Sequence, residues 1–218
     1  GHNTKEFKAE LAKIIKETIK KHKRIIFNGD NYTEEWLHEA RKRGLSNLRS
    51  TVEALPEYLS KKNVAVLTKH HVLSEAEIHS RYEILMENYC KTINIEALTM
   101  IDMVSREIIP ACVEYQNDLA KLLERKHAVG KFDESAEKAL LEKISKLTAV
   151  LVKNLTALED IMRDAREERE ILAQGKFFRD RVFVAMSELR VIVDELEMLV
   201  ASKYWPYPTY GQMLYSVV

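Results

Sequence analysis

Between residues 74 and 109 the chain runs without glycine or proline, and apolar side chains recur around most of a helical circumference. At about 100° per position, Leu85, Met103, Tyr89, Tyr82, Met100, Ile93, Met86, Val104, Ala97 and Cys90 gather into one arc of roughly 160°. Glu96 stands inside that arc. The opposite sector carries Glu83, Glu87, Asn88, Lys91, Asn94, Asp102 and Arg106, interrupted by Ile84, Ile95, Leu98 and Ile101. The pattern predicts one long, largely buried helix. Ser74 with Glu77 forms a capping box at its start, and Pro110 predicts a kink or an end near Ile109, with residues 111–126 continuing at an angle.

The same periodicity places further helices on either side. Phe7, Leu11, Ile14, Ile15 and Ile19 recur at helical spacing over residues 4–24, with lysines filling the other side, so this helix is expected to lie on a core with one face. Asn28-Gly29-Asp30-Asn31 is a turn sequence. Thr33 then opens a short helix that Gly44 stops, Ser50 and Glu53 suggest another capping box, and residues 62–72 give a third short element. Leu140, Ile144, Leu147, Leu151, Leu155, Leu158, Met162 and Ala165 carry a bundle seam through a helix expected over residues 134–173. Gly175 is expected to separate it from a third long helix, whose Phe178, Val182, Met186, Leu189, Val193, Leu196 and Val200 supply the matching seam. Short connections between long helices imply antiparallel neighbours.

The expected fold is therefore all-α. Residues 74–203 form an up-and-down bundle of three to four long helices, residues 3–73 pack on one end as short helices, and residues 204–218 form an extended aromatic tail. Gly1 and His2 have the character of an expression remnant, and a start directly on a helix suggests an excised fragment.

Composition supports this reading and narrows the function classes. Six glycines and four prolines in 218 residues are too few for the turns of a sheet protein. Thirty-four basic and thirty-four acidic residues cancel, so no net field draws nucleic acid or an anionic membrane. No stretch reaches the roughly twenty apolar residues of a membrane span. Cys90 and Cys112, flanked by apolar residues, are expected to be buried reduced thiols, which fits the cytoplasm.

Candidate chemistry is sparse. His71, Glu75 and His79 have helical four-residue spacing, but the break at Ser74 puts His71 outside the helix that carries His79, and Glu83 and Glu87 read as solvated or salt-bridged carboxylates rather than as a carboxylate-bridged metal centre. No phosphate loop, nucleophile elbow or zinc spacing occurs. No catalytic, metal or cofactor residue is assigned. Glu96 is the candidate buried polar group; a carboxylate on an apolar arc needs a donor, and Arg179, Arg181 and Arg190 are available. Tyr204, Trp205, Pro206, Tyr207, Pro208 and Tyr210 form a non-helical aromatic run and are the candidate interface. The run has two destinations: its own bundle, or a groove on another domain or subunit.

Three blocks carry a resemblance. They are Phe27-Asn28-Gly29-Asp30-Asn31-Tyr32-Thr33-Glu34-Glu35-Trp36; residues 73–103, beginning Leu73-Ser74-Glu75-Ala76-Glu77-Ile78-His79-Ser80-Arg81-Tyr82; and Tyr204-Trp205-Pro206-Tyr207-Pro208-Thr209-Tyr210-Gly211. Together they resemble the C-terminal region of type III glutamine synthetases. The resemblance implies that the intact protein condenses glutamate with ammonia, using ATP and divalent metal through a γ-glutamyl phosphate, on an upstream domain whose motifs are missing from these residues. It also implies partners: the rest of the parent polypeptide and the sister subunits of a ring-shaped homo-oligomer, with this domain serving assembly or regulatory contacts. A free-standing helical interaction module and a small metal-binding helical-bundle enzyme are the alternatives.

Overall fold

The computed structural model describes residues 4–208 and 210–215, all helix, turn or coil among the described residues. The chain divides into two compact units, one ending at Ala54 and the other beginning at Leu55.

In the first unit, α1 (Lys5–Lys21) starts at Thr4, whose hydroxyl accepts from the Phe7 N–H at 3.3 Å. The helix is shorter than the pattern predicts because a 3-10 turn, Lys23–Ile25, follows it. No residue of α1 is buried. The expectation that its apolar face lies on a core is thereby corrected: periodicity fixes which face is apolar, and only a neighbour can cover it. α2 (Glu34–Lys42) ends at Gly44, whose φ of +69° suits a residue without a Cβ. α3 (Thr51–Ala54) is a single turn. Its Ser50 hydroxyl accepts from the Glu53 N–H at 3.2 Å, while the Glu53 carboxylate accepts from the Arg49 N–H at 2.8 Å.

The second unit opens with a 3-10 segment, Leu55–Leu59, and α4 (Lys61–Lys69), which pack on each other and on the helix that follows. His71 takes a left-handed φ of +54° at the end of α4, so the chain turns before Ser74. α5 (Glu75–Met103) begins with the predicted capping box: Ser74 Oγ accepts from the Glu77 N–H at 3.3 Å, and the Glu77 carboxylate accepts from the Ser74 N–H at 2.8 Å. Ile78, Tyr82, Met86, Cys90, Ile93 and Ala97 form its buried stripe.

Pro110 neither ends nor breaks this helix. A π turn, Val104–Ile108, precedes it, in which the Ile109 N–H bonds to the Val104 carbonyl five residues back. Within an α-helix the proline ring would meet the carbonyl four residues earlier, and the widened turn relieves that conflict. α6 (Ile109–Val129) then runs on to Gly130, with Pro110 in its first turn.

α7 (Ser135–Asp164) carries the predicted seam, with Ile144, Leu151, Leu155, Leu158 and Met162 buried, but it stops well before residue 173. The chain turns at residues 165–170, where the Glu170 carboxylate accepts from the Leu172 and Ala173 N–H groups at 2.9 and 2.6 Å and so starts α8 (Ile171–Phe177). Gly175 is not the separator. It lies buried inside α8, which packs on α5. A second π turn, Phe178–Val182, leads into α9 (Phe183–Leu199). α7 packs against α6 and α9, and α5 against α7, α8 and α9. One core joins these long helices, with Leu158, Leu189 and Leu196 fully excluded from water. Cys90 and Cys112 are free and buried within it, and burial pushes the Cys112 thiol up to about 11. α10 (Tyr210–Tyr215) is a short helix, so among the described residues of the expected extended tail, 204–208 are non-helical and 210–215 are not extended.

Candidate functional site

Glu96 lies on the surface of α5, not in its core. The predicted arc is real but too wide. Its buried centre follows Met86, Ile93, Cys90 and Ala97, whereas Leu85, at the same edge as Glu96, is 40% exposed. Glu96 therefore needs no buried donor, and among the described residues it forms no hydrogen bond or ion pair. Arg190 turns to Asp194 at 3.4 Å, Arg179 to Asp180 at 2.6 Å, and Arg181 lies over the Phe177 ring at 5.8 Å.

Glu96 does border a groove of about 480 Å³ between α5, the first π turn and α9. Met100, Met103 and Met186 form part of its wall, Val104 and Ile108 enter from the π turn, and Glu96 and Arg190 sit at its rim. Methionine surfaces adapt to the shape of what they meet.

The carboxylate that is buried belongs to Glu134, 8% exposed at the start of α7. His127 Nε2 lies 2.9 Å and Lys138 Nζ 2.8 Å from it, and the Lys138 hydrogen bond chiefly holds its pKa down. Nearby, Lys126 pairs with Glu137. These groups staple the α6–α7 corner. The available signal was the basic cluster at residues 126–127 facing acidic residues just beyond Gly130.

The aromatic run folds back on its own unit. Tyr204 stacks on Tyr115 with ring centroids 5.2 Å apart, donates its hydroxyl to the Asp118 carboxylate, and is covered by Lys203 Nζ at 4.5 Å from the ring centre. That hydrogen bond is the main cause lowering the Asp118 pKa. Trp205 and Tyr207 pack partly buried on the bundle core, while Pro206 and Pro208 are exposed. The Tyr207 hydroxyl is buried without a hydrogen bond of good geometry. Desolvation and the neighbouring Glu107 carboxylate push its pKa up to about 12. Tyr210 begins α10, and its side chain lies outside the described residues.

The loop block of the first unit has its own local logic. The Asp30 carboxylate accepts from the Tyr32 N–H at 2.9 Å, and the Asp30 carbonyl accepts from the Thr33 hydroxyl at 2.9 Å. Phe27 packs on Trp36 with centroids 4.6 Å apart, and a Cβ on Gly29 would stand 2.7 Å from the Phe27 ring. Arg43 donates to the Ile26 carbonyl and to Glu39, each at 2.6 Å, closing the loop onto α2. Tyr32 is left fully exposed at the tip.

Among the described residues, no three His, Cys, Asp or Glu side chains converge as a metal-ligand set, and no helix is long and apolar enough to cross a membrane. What the surface offers is apolar. Ile84, Ile95 and Leu98 on α5 are 43–63% exposed, and Phe183, Val184 and Val191 on α9 are 46–64% exposed.

The domain thus combines a covered helical core with half-exposed apolar side chains on α5 and α9. Residues 10–127 match the family model for the glutamine synthetase C-terminal domain, and the chain belongs to that family. It is 39% identical over 97% of its length to a glutamine synthetase of Butyrivibrio fibrisolvens, and 34% identical over 93% to a type-3 glutamine synthetase of Dictyostelium discoideum. It is 30% identical over 94% to a glutamine synthetase of Bacteroides fragilis strain YCH46. The chain spans only 28–30% of the length of these curated relatives.

Proposed function

We propose that this helical domain holds together the subunits of a ring-shaped, cytoplasmic type III glutamine synthetase. Glutamate, ammonia and ATP react upstream of it in the parent polypeptide. This reading assigns ATP and divalent metal to that upstream part and no step of the reaction to this chain. Sister subunits are the partners.

The observation that supports this reading is the exposed row Ile84, Ile95 and Leu98, which shares one outer sector of α5. A single exposed isoleucine means little, but a clustered row on one long helix has the character of a contact surface. Glutamates at these solvent-facing positions leave the buried stripe intact. Ile95→Glu with Leu98→Glu in the full-length polypeptide is therefore expected to weaken subunit association by roughly tenfold or more, read as a shift to smaller species in analytical ultracentrifugation. A double variant that sediments like the parent overturns the assembly role.

A further inference from the structure

We propose that the cleft between α5, the turn at residues 165–170 and α8 is a binding site for a small organic anion, held by its carboxylate or phosphate between Arg166 and Arg169. The cleft has a volume of about 410 Å³ and lies within the second unit. Cys90, Ala165 and Phe178, all buried, line it where it meets the core. A space of this size exceeds a single inorganic phosphate and suits a molecule with a short carbon skeleton. None of the exposed large apolar residues described lines it, so it lacks the apolar centre of a macromolecular contact.

The two arginines set this cleft apart. Arg43, Arg106, Arg163, Arg179 and Arg190 each pair with a carboxylate one to four residues away. Arg166 and Arg169 pair with none among the described residues, although Glu167 and Glu168 lie between them in the chain. The acids beside the cleft are engaged: Glu87, the carboxylate in its lining, holds Lys91 at 2.8 Å, and the Glu170 carboxylate is taken up by the Leu172 and Ala173 N–H groups. The lining therefore has three cations against one anion, and two of the cations are left for a ligand. A guanidinium stays charged and presents a planar fork that fits carboxylate or phosphate oxygens in pairs. One exposed arginine holds such a group weakly, whereas two on one concave wall hold it at two points. Half-buried Asn94 on α5, its amide unbonded among the described residues, supplies a further donor to the ligand's oxygens. Gln174 on α8 gives one amide hydrogen to the Glu168 carbonyl at 3.4 Å and has the other to offer.

The test does not depend on the assembly role. Phenylglyoxal modifies free guanidinium groups, and its reaction at each arginine is followed by mass spectrometry in the full-length polypeptide and in the 218-residue chain. In both, Arg166 and Arg169 are expected to react without added anion, and succinate or glycerol 3-phosphate at about 10 mM should slow the two together by about fivefold or more, with Arg106 and Arg163 unchanged. Protection by succinate alone makes the ligand a carboxylate, by glycerol 3-phosphate alone a phosphate ester, and by both an oxyanion of either kind. Arg166→Gln should raise the concentration that protects Arg169 by about tenfold, whereas Arg106→Gln should leave it. Failure of both probes to protect overturns the proposal, as does equal protection by chloride at the same ionic strength or protection of Arg169 that ignores Arg166→Gln. So does a pair of arginines that reacts in the 218-residue chain but is already shielded in the full-length polypeptide with no anion added, which would make a part of the parent assembly the occupant.

Discussion

α1 and α9 are each 17 residues long and each displays a helical apolar stripe, yet α9 buries Ala185, Met186, Leu189 and Leu196 whereas α1 buries none. Seen as patterns, the two predict the same thing. The difference is that α9 meets its seam on α7 within the second unit, whereas the stripe of α1 in the first unit stays 42–58% exposed. Periodicity tells which face is sticky; it does not tell whether the cover belongs to the same stretch of polypeptide.

That contrast can be broken most directly with one leucine from each helix. Leu189→Ala removes a fully buried side chain and should cost about 2–5 kcal/mol, read from urea unfolding followed at Trp205 in the second unit. Leu11→Ala, at 44% exposure, should fall within about 0.5 kcal/mol in the same 218-residue chain, with Trp36 reporting on the first unit. Equal costs would mean that α1 is covered after all. A smaller effect sharpens the comparison at the level of local signals. Ser74→Ala removes the hydroxyl that accepts from Glu77 N–H and should cost about 1 kcal/mol, because α5 carries the core and its first turn cannot fray freely. The same change at Thr4, which caps the exposed α1 in the first unit, should leave the Trp205 transition where it was.

The helical class, the seams of α7 and α9, and the box at Ser74 were all legible, because each follows from spacing or from chemistry within one turn. Glu96 was misplaced for a related reason: a wide apolar arc has a centre and a rim, and only the packing of α7, α8 and α9 decides where the rim begins. Proline marked a change in the helix without giving its form, which is the π turn before Pro110, and glycine misled once, since Gly175 lies inside α8 rather than in a turn. The true break after α7 carries neither residue; its marker is the carboxylate of Glu170 capping α8, one acidic residue among several. The α5–α9 groove was invisible, since it exists only once residues nearly ninety positions apart stand side by side.

The aromatic tail supplies the smallest and most local test, because its hold on the bundle is made by two tyrosines in opposite circumstances. Tyr204 has a partner, donating to Asp118, while Tyr207 has its hydroxyl buried with none. The pKa of Tyr207, raised to about 12 from about 10 for an exposed tyrosine, means that the folded state favours the neutral phenol. The sign follows: its contribution to docking is complete below about pH 10 and is lost as pH rises through about 12. Trp205 emission should therefore report an alkaline release of the tail that Tyr207→Phe removes or moves to higher pH. At neutral pH that substitution should leave the tail docked or tighten it, since the hydroxyl has no hydrogen bond of good geometry among the described residues to lose, whereas Tyr204→Phe should loosen it. An alkaline transition identical in the parent and in Tyr207→Phe would show that Tyr207 does not govern release. Loosening by Tyr207→Phe at pH 7 would show that its hydroxyl bonds to Glu107 in solution, making the two tyrosines equivalent clasps.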